Sequence, residues 1–300
     1  MRRHFIAALT AIVAVGSWPL GAQTAAQEGQ RTPGSLTPQT AQKVNRPAPR
    51  WPDGRIKLGA PTGEQGIWQP NGRPILAEPE TDPAIKDGQG RGAFSGPPFP
   101  GKPKESEVPY HAWARALYRF REANLFEPHT RCKPSGGPRQ FITPGGVEFV
   151  DPPDSNQIYI IDQAGPYTFR IIYMDGRPHP KDVVPSYYGH SIGRWEGDTL
   201  VVDTIGFNER FWFERQGAPH TDRLHLIERF TRTDLNNLKI ELTIDDPGAY
   251  TRTWTTGFYM RWTEGENSET IEYVCQANNR AGVLMIGNTE GVDRESPIVP

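Results

Sequence analysis

The chain has 300 residues, a net charge of −2 and a mean hydropathy of −0.62, with 33 lysines and arginines against 35 acidic residues. That balance leaves no basic footprint for nucleic acid, and it leaves no apolar run for a membrane span beyond the N-terminus. Glycine (31) and proline (30) make up about a fifth of the residues, which predicts many turns in what is one large domain or two small ones.

Arg2 and Arg3 precede an apolar run from Phe5 to Val15, followed by Pro19, Gly21 and Ala22. A charged start, a short apolar stretch and a small residue at the end form the pattern of a cleavable export signal over residues 1–22. Cleavage is expected after Ala22, with Ala26 as the alternative. The rival reading of the same run, a retained anchor, is disfavoured by its length. A periplasmic or secreted location follows. In that compartment the two cysteines, Cys132 and Cys275, are most simply one disulfide. It would close a loop of about 140 residues, a constraint of about 4–5 kcal/mol in the chain-entropy model. Two separate thiols are the alternative.

Residues 23–109 hold half of the prolines. Such a segment buries too little apolar surface for a core of its own. It is expected to begin disordered and then to lie as an extended arm, docked by Trp51, Ile67-Trp68, Ile75-Leu76 and Phe94. A helix is expected from His111 to Asn124, where Ala112, Trp113, Ala116, Leu117, Phe120 and Ala123 recur with a 3.6-residue period and predict a buried face. Pro109 and Pro128 bracket it.

After Cys132 the chain reads as strands: 157–162, 167–174, 198–204, 224–232, 238–245, 251–262 and 270–275. In 238–245 the residues Leu238, Ile240, Leu242 and Ile244 alternate with Lys239, Glu241, Thr243 and Asp245, which marks a half-buried strand. Successive strands without helices between them predict antiparallel pairing. The expected fold is mainly β: an antiparallel up-and-down barrel or strongly curved sheet over residues 110–280, calycin-like in outline, preceded by one helix and followed by a tail at 281–300. Gly193-Arg194-Trp195 resembles the Gly-x-Trp step of lipocalins. A β-sandwich is the alternative.

Chemistry-bearing residues concentrate between Tyr173 and Glu228. On a strand Leu224–Phe230, the side chains of Leu224, Leu226, Glu228 and Phe230 share one face. Glu228 then stands on an apolar wall, where desolvation raises a carboxyl pKa into the range of a general acid or base. His225 points the other way, beside Ile227. Arg170 and Arg252 also fall among apolar neighbours, and a buried arginine implies a carboxylate partner. His190 and His220 are candidates to assist. An ion pair of purely structural purpose is the bland alternative for Glu228. Tyr187, Tyr188, Trp195, Phe211 and Trp212 gather around the histidine loops and are the candidate ligand-contacting residues; a lid packed over a barrel end is the other reading. No metal site is assigned. A divalent ion held by His220, His225, Asp222, Glu228 and His190 is kept as an alternative only, because His-x4-His entering a strand is not a recognised ligand spacing. No phosphate loop, dinucleotide fingerprint or serine nucleophile elbow occurs, so no cofactor is expected.

Three blocks carry a resemblance: Tyr-Met-Asp-Gly-Arg-Pro-His-Pro (173–180), Gly-His-Ser-Ile-Gly-Arg-Trp-Glu-Gly-Asp-Thr-Leu-Val-Val-Asp-Thr-Ile-Gly-Phe-Asn (189–208) and Pro-His-Thr-Asp-Arg-Leu-His-Leu-Ile-Glu-Arg-Phe (219–230). With Arg131-Cys132-Lys133-Pro134 and Glu272-Tyr273-Val274-Cys275, they resemble a large group of secreted bacterial proteins of unassigned function. The likeness runs from Ile67 to Asn279 and implies an exported β-rich domain. The group's Cys-Asn-Glu-Asn-Asn block reads Cys-Gln-Ala-Asn-Asn here, so its acidic residue is replaced by Ala277. The resulting expectation is an exported barrel that binds a small organic molecule in a cavity rimmed by the 187–225 loops. The alternatives are an acid–base enzyme (lyase, isomerase or hydrolase, with or without a metal) using the same pocket, and a structural envelope protein.

Overall fold

Alternation of apolar and polar residues gives each strand one face for a shared interior. In the computed structural model, which describes residues 46–72, 75–80, 98–124, 127–143, 145–163, 168–264, 268 and 270, nine strands use that face to close a barrel. They are β1 (Ile67–Asn71), β2 (Val147–Val150), β3 (Gln157–Asp162), β4 (Phe169–Tyr173), β5 (His190–Glu196), β6 (Thr199–Ile205), β7 (His225–Arg232), β8 (Asn237–Asp245) and β9 (Trp254–Thr263). They pair in chain order and β9 returns to β1, with Trp262 opposite Trp68. The signal segment, Phe94, the strand expected at 270–275 and the 281–300 tail lie outside the described residues. No helix among the described residues is long and apolar enough to cross a membrane.

Two features of how the barrel closes differ from the sequence expectation. The first is a parallel seam. Ile172 of β4 pairs with Ser191 of β5 in the same chain direction, whereas every other seam is antiparallel. The connection from Met174 to Gly189 is long enough to carry the chain back before β5 begins, which a tight hairpin is not. The second is that the arm contributes a strand. β1 is buried along four of its five residues, and it supplies the seam that closes the barrel. Trp68 sits edge-on to Trp262 at 5.1 Å, and its indole nitrogen donates to the Leu58 carbonyl (2.8 Å).

The interior is filled mainly by apolar side chains. Phe141, from the 3-10 turn Gly137–Ile142, enters the barrel and packs against Phe149, Phe230 and Phe258. At one end the lining becomes polar, and the candidate site begins there.

Helix α1 (Ala112–Asn124) packs by the opposite face to the expected one. Ala114 and Tyr118 are buried, while Trp113 and Phe120 are 47% and 65% exposed. Tyr118 stacks on Tyr110, which stacks on Tyr250. Arg121 lies over the Trp212 ring at 4.9 Å. The helix is therefore held by aromatic stacking and by the apolar stems of its arginines, which a pattern of apolar letters does not count.

Candidate functional site

The inner wall at one end of the barrel carries a continuous polar layer. Arg170 on β4, Ser191 on β5, Thr204 on β6 and Glu228 on β7 occupy inward positions, and all are essentially inaccessible to solvent. Arg170 is ion-paired with Glu228 through Nη2. Its Nε donates to Ser191 Oγ (2.9 Å), and Nη2 also donates to Thr204 Oγ1 (2.7 Å). The serine and threonine hydroxyls are 2.9 Å apart.

Asp162, at the end of β3, is a diagonal neighbour of Arg170 on the same inner face, because Ile160 is the direct partner of Arg170. Tyr188 donates its phenolic proton to Asp162 Oδ2, and Thr168 donates to the same oxygen at 3.1 Å. Burial pushes the Asp162 carboxyl up to about 7, against the pull of those two hydroxyls and of the Gln140 side chain. Burial likewise raises the Tyr188 phenol well above its ordinary value, and the neighbouring Asp162 charge adds to the rise. Tyr188 and Thr168 are only partly buried. Gln140, from the turn Gly137–Ile142, borders this layer: its amide nitrogen donates to the Ile160 carbonyl (3.5 Å) and its side chain also acts on Asp162. Four buried polar atoms here have no hydrogen-bond partner within normal geometry among the described residues: Arg170 Nη1, Glu228 Oε1, Asp162 Oδ1 and Gln140 Oε1.

A second constellation lies on the outer wall. His190 and Asp203 point outward from β5 and β6, and His225 from β7. Asp203 is the direct partner of Ile192 on β5 and of Ile227 on β7, so it is diagonal to His190 and to His225. His179, from the connection after β4, lies over them. Asp203 Oδ1 is 3.1 Å from His179 Nε2 and 2.7 Å from His225 Nε2. His179 Nδ1 is 2.8 Å from His190 Nδ1. Tyr173 stacks on the His190 ring at 5.1 Å, and Arg177 lies over the Tyr173 ring at 4.2 Å. Burial lowers the His190 pKa, with His179 and Arg177 adding to the effect. No group of three or more such ligands among the described residues is arranged to hold a metal ion.

The sequence-derived candidates thus divide. Glu228 and Arg170 meet inside the barrel, with Tyr188 hydrogen-bonded to Asp162 beside them. His190 and His225 gather outside it. His220 joins neither: it is buried between Phe211 and Phe213, at ring distances of 4.1 and 4.7 Å. Its two nitrogens face the carbonyl oxygens of Phe211 and Thr221. Burial lowers its pKa to about 4, so it is a neutral packing element. Phe211 and Trp212 are buried with it rather than lining a mouth. Arg252 is exposed in the turn before β9 and borders a shallow outer groove with Lys102 and Trp254; its expected carboxylate, Glu228, belongs to Arg170. Tyr187 packs on Phe211 at 6.4 Å, and Trp195 lies under Arg55 at 5.9 Å. Cys132 is not a free thiol, and Cys275 lies outside the described residues.

Asp162, Thr204, Asp203 and His179 were not singled out as site residues from the sequence. Asp203 carried a usable signal: on a strand Thr199–Ile205 it faces away from Leu200, Val202 and Thr204. No family model, curated protein or solved structure matches this chain.

Proposed function

We propose that the protein is an exported barrel that binds a small, uncharged, hydrogen-bonding molecule at the polar end of its interior. The observation that carries this reading is the set of unpartnered buried atoms. A buried polar group without a partner costs about 1–3 kcal/mol, and four in one layer call for a guest. Arg170 and Glu228 cancel each other's charge, and below pH 7 burial keeps Asp162 mostly protonated, so the guest is neutral there. Three free oxygens against one free guanidinium arm ask for a guest rich in N–H or O–H donors with at least one acceptor, such as a primary amide or a small polyol. It enters past Tyr188 and Thr168. Export rests on Arg2, Arg3, the Phe5–Val15 run and Ala22; mature protein recovered outside the cytoplasm should begin at Gln23 or Gln27.

The test is NMR titration with acetamide, glycerol, acetate and methylammonium, together with native mass spectrometry of the protein as purified. The neutral probes should shift Asp162 and Arg170 signals saturably, and the two ions should not. Gln140→Leu and Asp162→Asn should each weaken that binding about tenfold, roughly the 1.4 kcal/mol of one hydrogen bond. Signals unmoved by every neutral probe, with only tightly held water in the layer, would overturn the reading.

An acid–base enzyme at the same site is favoured by one observation, the near-neutral pKa of Asp162. The proton carrier there is Asp162 rather than Glu228, which its ion pair holds. Turnover of any bound substrate should then fall in Asp162→Asn; turnover retained in that variant removes the enzymatic reading and leaves binding.

A further inference from the structure

The outer constellation is separate from the proposed binding site, because its side chains leave the opposite face of β5, β6 and β7. We propose that His190 is the general base of a hydrolytic site on this wall, with His179 as proton relay and Asp203 as positioning residue, acting with water on small activated esters.

The hydrogen-bond pattern fixes the tautomers. An ionised carboxylate only accepts, so His179 and His225 must each carry a proton on the Nε2 that faces Asp203 Oδ1. Neutral His179 then has its lone pair on Nδ1. The 2.8 Å contact with His190 Nδ1 is a hydrogen bond only if His190 supplies the proton. The lone pair of His190 is therefore on Nε2, in a half-buried ring whose Nε2 takes no hydrogen bond among the described residues.

Proton movement along this chain is downhill in charge. Burial, His179 and Arg177 all disfavour a cationic His190, whereas a cationic His179 would stand against Asp203. A water molecule on Nε2 gives up a proton as its oxygen bonds to the ester carbonyl carbon. The Nδ1 proton of His190 passes to His179, and the positive charge comes to rest beside Asp203. When the bond to the leaving alcohol breaks, the proton returns by the same path and leaves from His190 Nε2 to the alkoxide oxygen. Ester and water become acid and alcohol. The enzyme supplies no nucleophile of its own. Ser191, next to His190 in sequence, points inward and is bonded to Arg170. Positioned general acid–base catalysis contributes about 10²–10⁴-fold, which suits an ester with a good leaving group and falls short for an amide. The other charged groups facing the cluster are Arg177, Asp175 and Asp245, the cross-strand partner of His225.

The experiment is hydrolysis of p-nitrophenyl acetate by the full mature chain across pH, set against equimolar 4-methylimidazole and paired with ¹⁵N NMR of the imidazoles. The protein should exceed the free imidazole by at least about 100-fold, and His190→Gln should remove that excess. Asp203→Asn should move the rising limb of the pH–rate profile to lower pH as well as slow it, a change that simple loosening of the wall would not produce. His111→Gln, an imidazole outside the cluster, should leave the rate unchanged. NMR should find the His190 proton on Nδ1. A rate no higher than free imidazole, a rate unaffected by His190→Gln, or a proton found on His190 Nε2 would each overturn the proposal. None of these outcomes bears on amide or polyol binding inside the barrel.

Discussion

Arg170 and Glu228 meet across the barrel interior from β4 and β7, strands separated by two others in the sheet, and neither side chain is more than 1% exposed. Loss of one partner strands a buried charge, which costs about 3–5 kcal/mol, whereas replacing both with apolar side chains of similar volume is often close to neutral. Arg170→Met and Glu228→Met should each destabilise the protein by that amount in urea unfolding. Arg170→Met combined with Glu228→Met should cost far less than the sum. Additive losses would mean that the two groups are not coupled.

Stability against pH should show two opposed slopes. Burial raises Asp162 from 3.8 and Glu214 from 4.5, each to about 7. The folded state keeps protons that the unfolded chain releases, so these two groups stabilise fully below their unfolded pKa values and lose that contribution as pH rises to about 7. Burial lowers His129 and His220 from 6.5 to about 4. Their contribution is complete above 6.5 and is lost as pH falls toward 4. Between roughly pH 4.5 and 6.5 the pairs oppose each other, each group changing stability by at most about 1.4 kcal/mol per pH unit. Relative to wild type, His220→Asn should lose stability with rising pH in that window. Asp162→Asn with Glu214→Gln should gain it. Thermal unfolding from pH 4 to 8 reads both, and profiles parallel to wild type would refute the assignment.

Much of the barrel was legible because its strands alternate. Leu238 to Asp245 announces β8 residue by residue, and the shared face of Leu226, Glu228 and Phe230 placed Glu228 inside and His225 outside. β1 was not legible, since Ile67-Trp68-Gln69-Pro70 is buried without alternation and contains a proline. β5 offers Ser191 and Gly193 to the interior, so no apolar face marks it. The parallel seam depends on where the 174–189 connection returns, which no local pattern encodes. The two polar clusters failed to separate in sequence for the same reason that they separate in space. Adjacent residues such as His190 and Ser191 point to opposite sides of one wall.

Phe141 closes the interior from a turn rather than from a strand, with its ring 5.4 Å from that of Phe230. Phe141→Ala should cost about 3–5 kcal/mol. The cavity left behind is apolar, so it should stay dry and admit benzene or xenon. Calorimetric unfolding with and without benzene would show partial recovery of the lost stability. Recovery should be absent in wild type, and a variant that gains nothing from benzene would place Phe141 outside a sealed core.

Arg232 fastens the arm to the barrel. Its guanidinium donates to the carbonyls of Lys57 (2.7 Å), Gly59 (2.8 Å) and Leu235 (2.9 Å). It lies over Trp68 and Trp262 at 4.7 and 4.9 Å. A lysine offers one point of charge where the guanidinium offers a planar fork, so Arg232→Lys leaves buried carbonyls without donors at about 1–3 kcal/mol each. The variant should lose at least about 2 kcal/mol of stability on that scale. Because Lys57 is buried only while the arm is fastened, brief trypsin treatment should cut after Lys57 in the variant and spare that bond in wild type. Equal cutting in both proteins would show that the arm is held by its apolar anchors, Ile56 and Leu58, and not by the arginine.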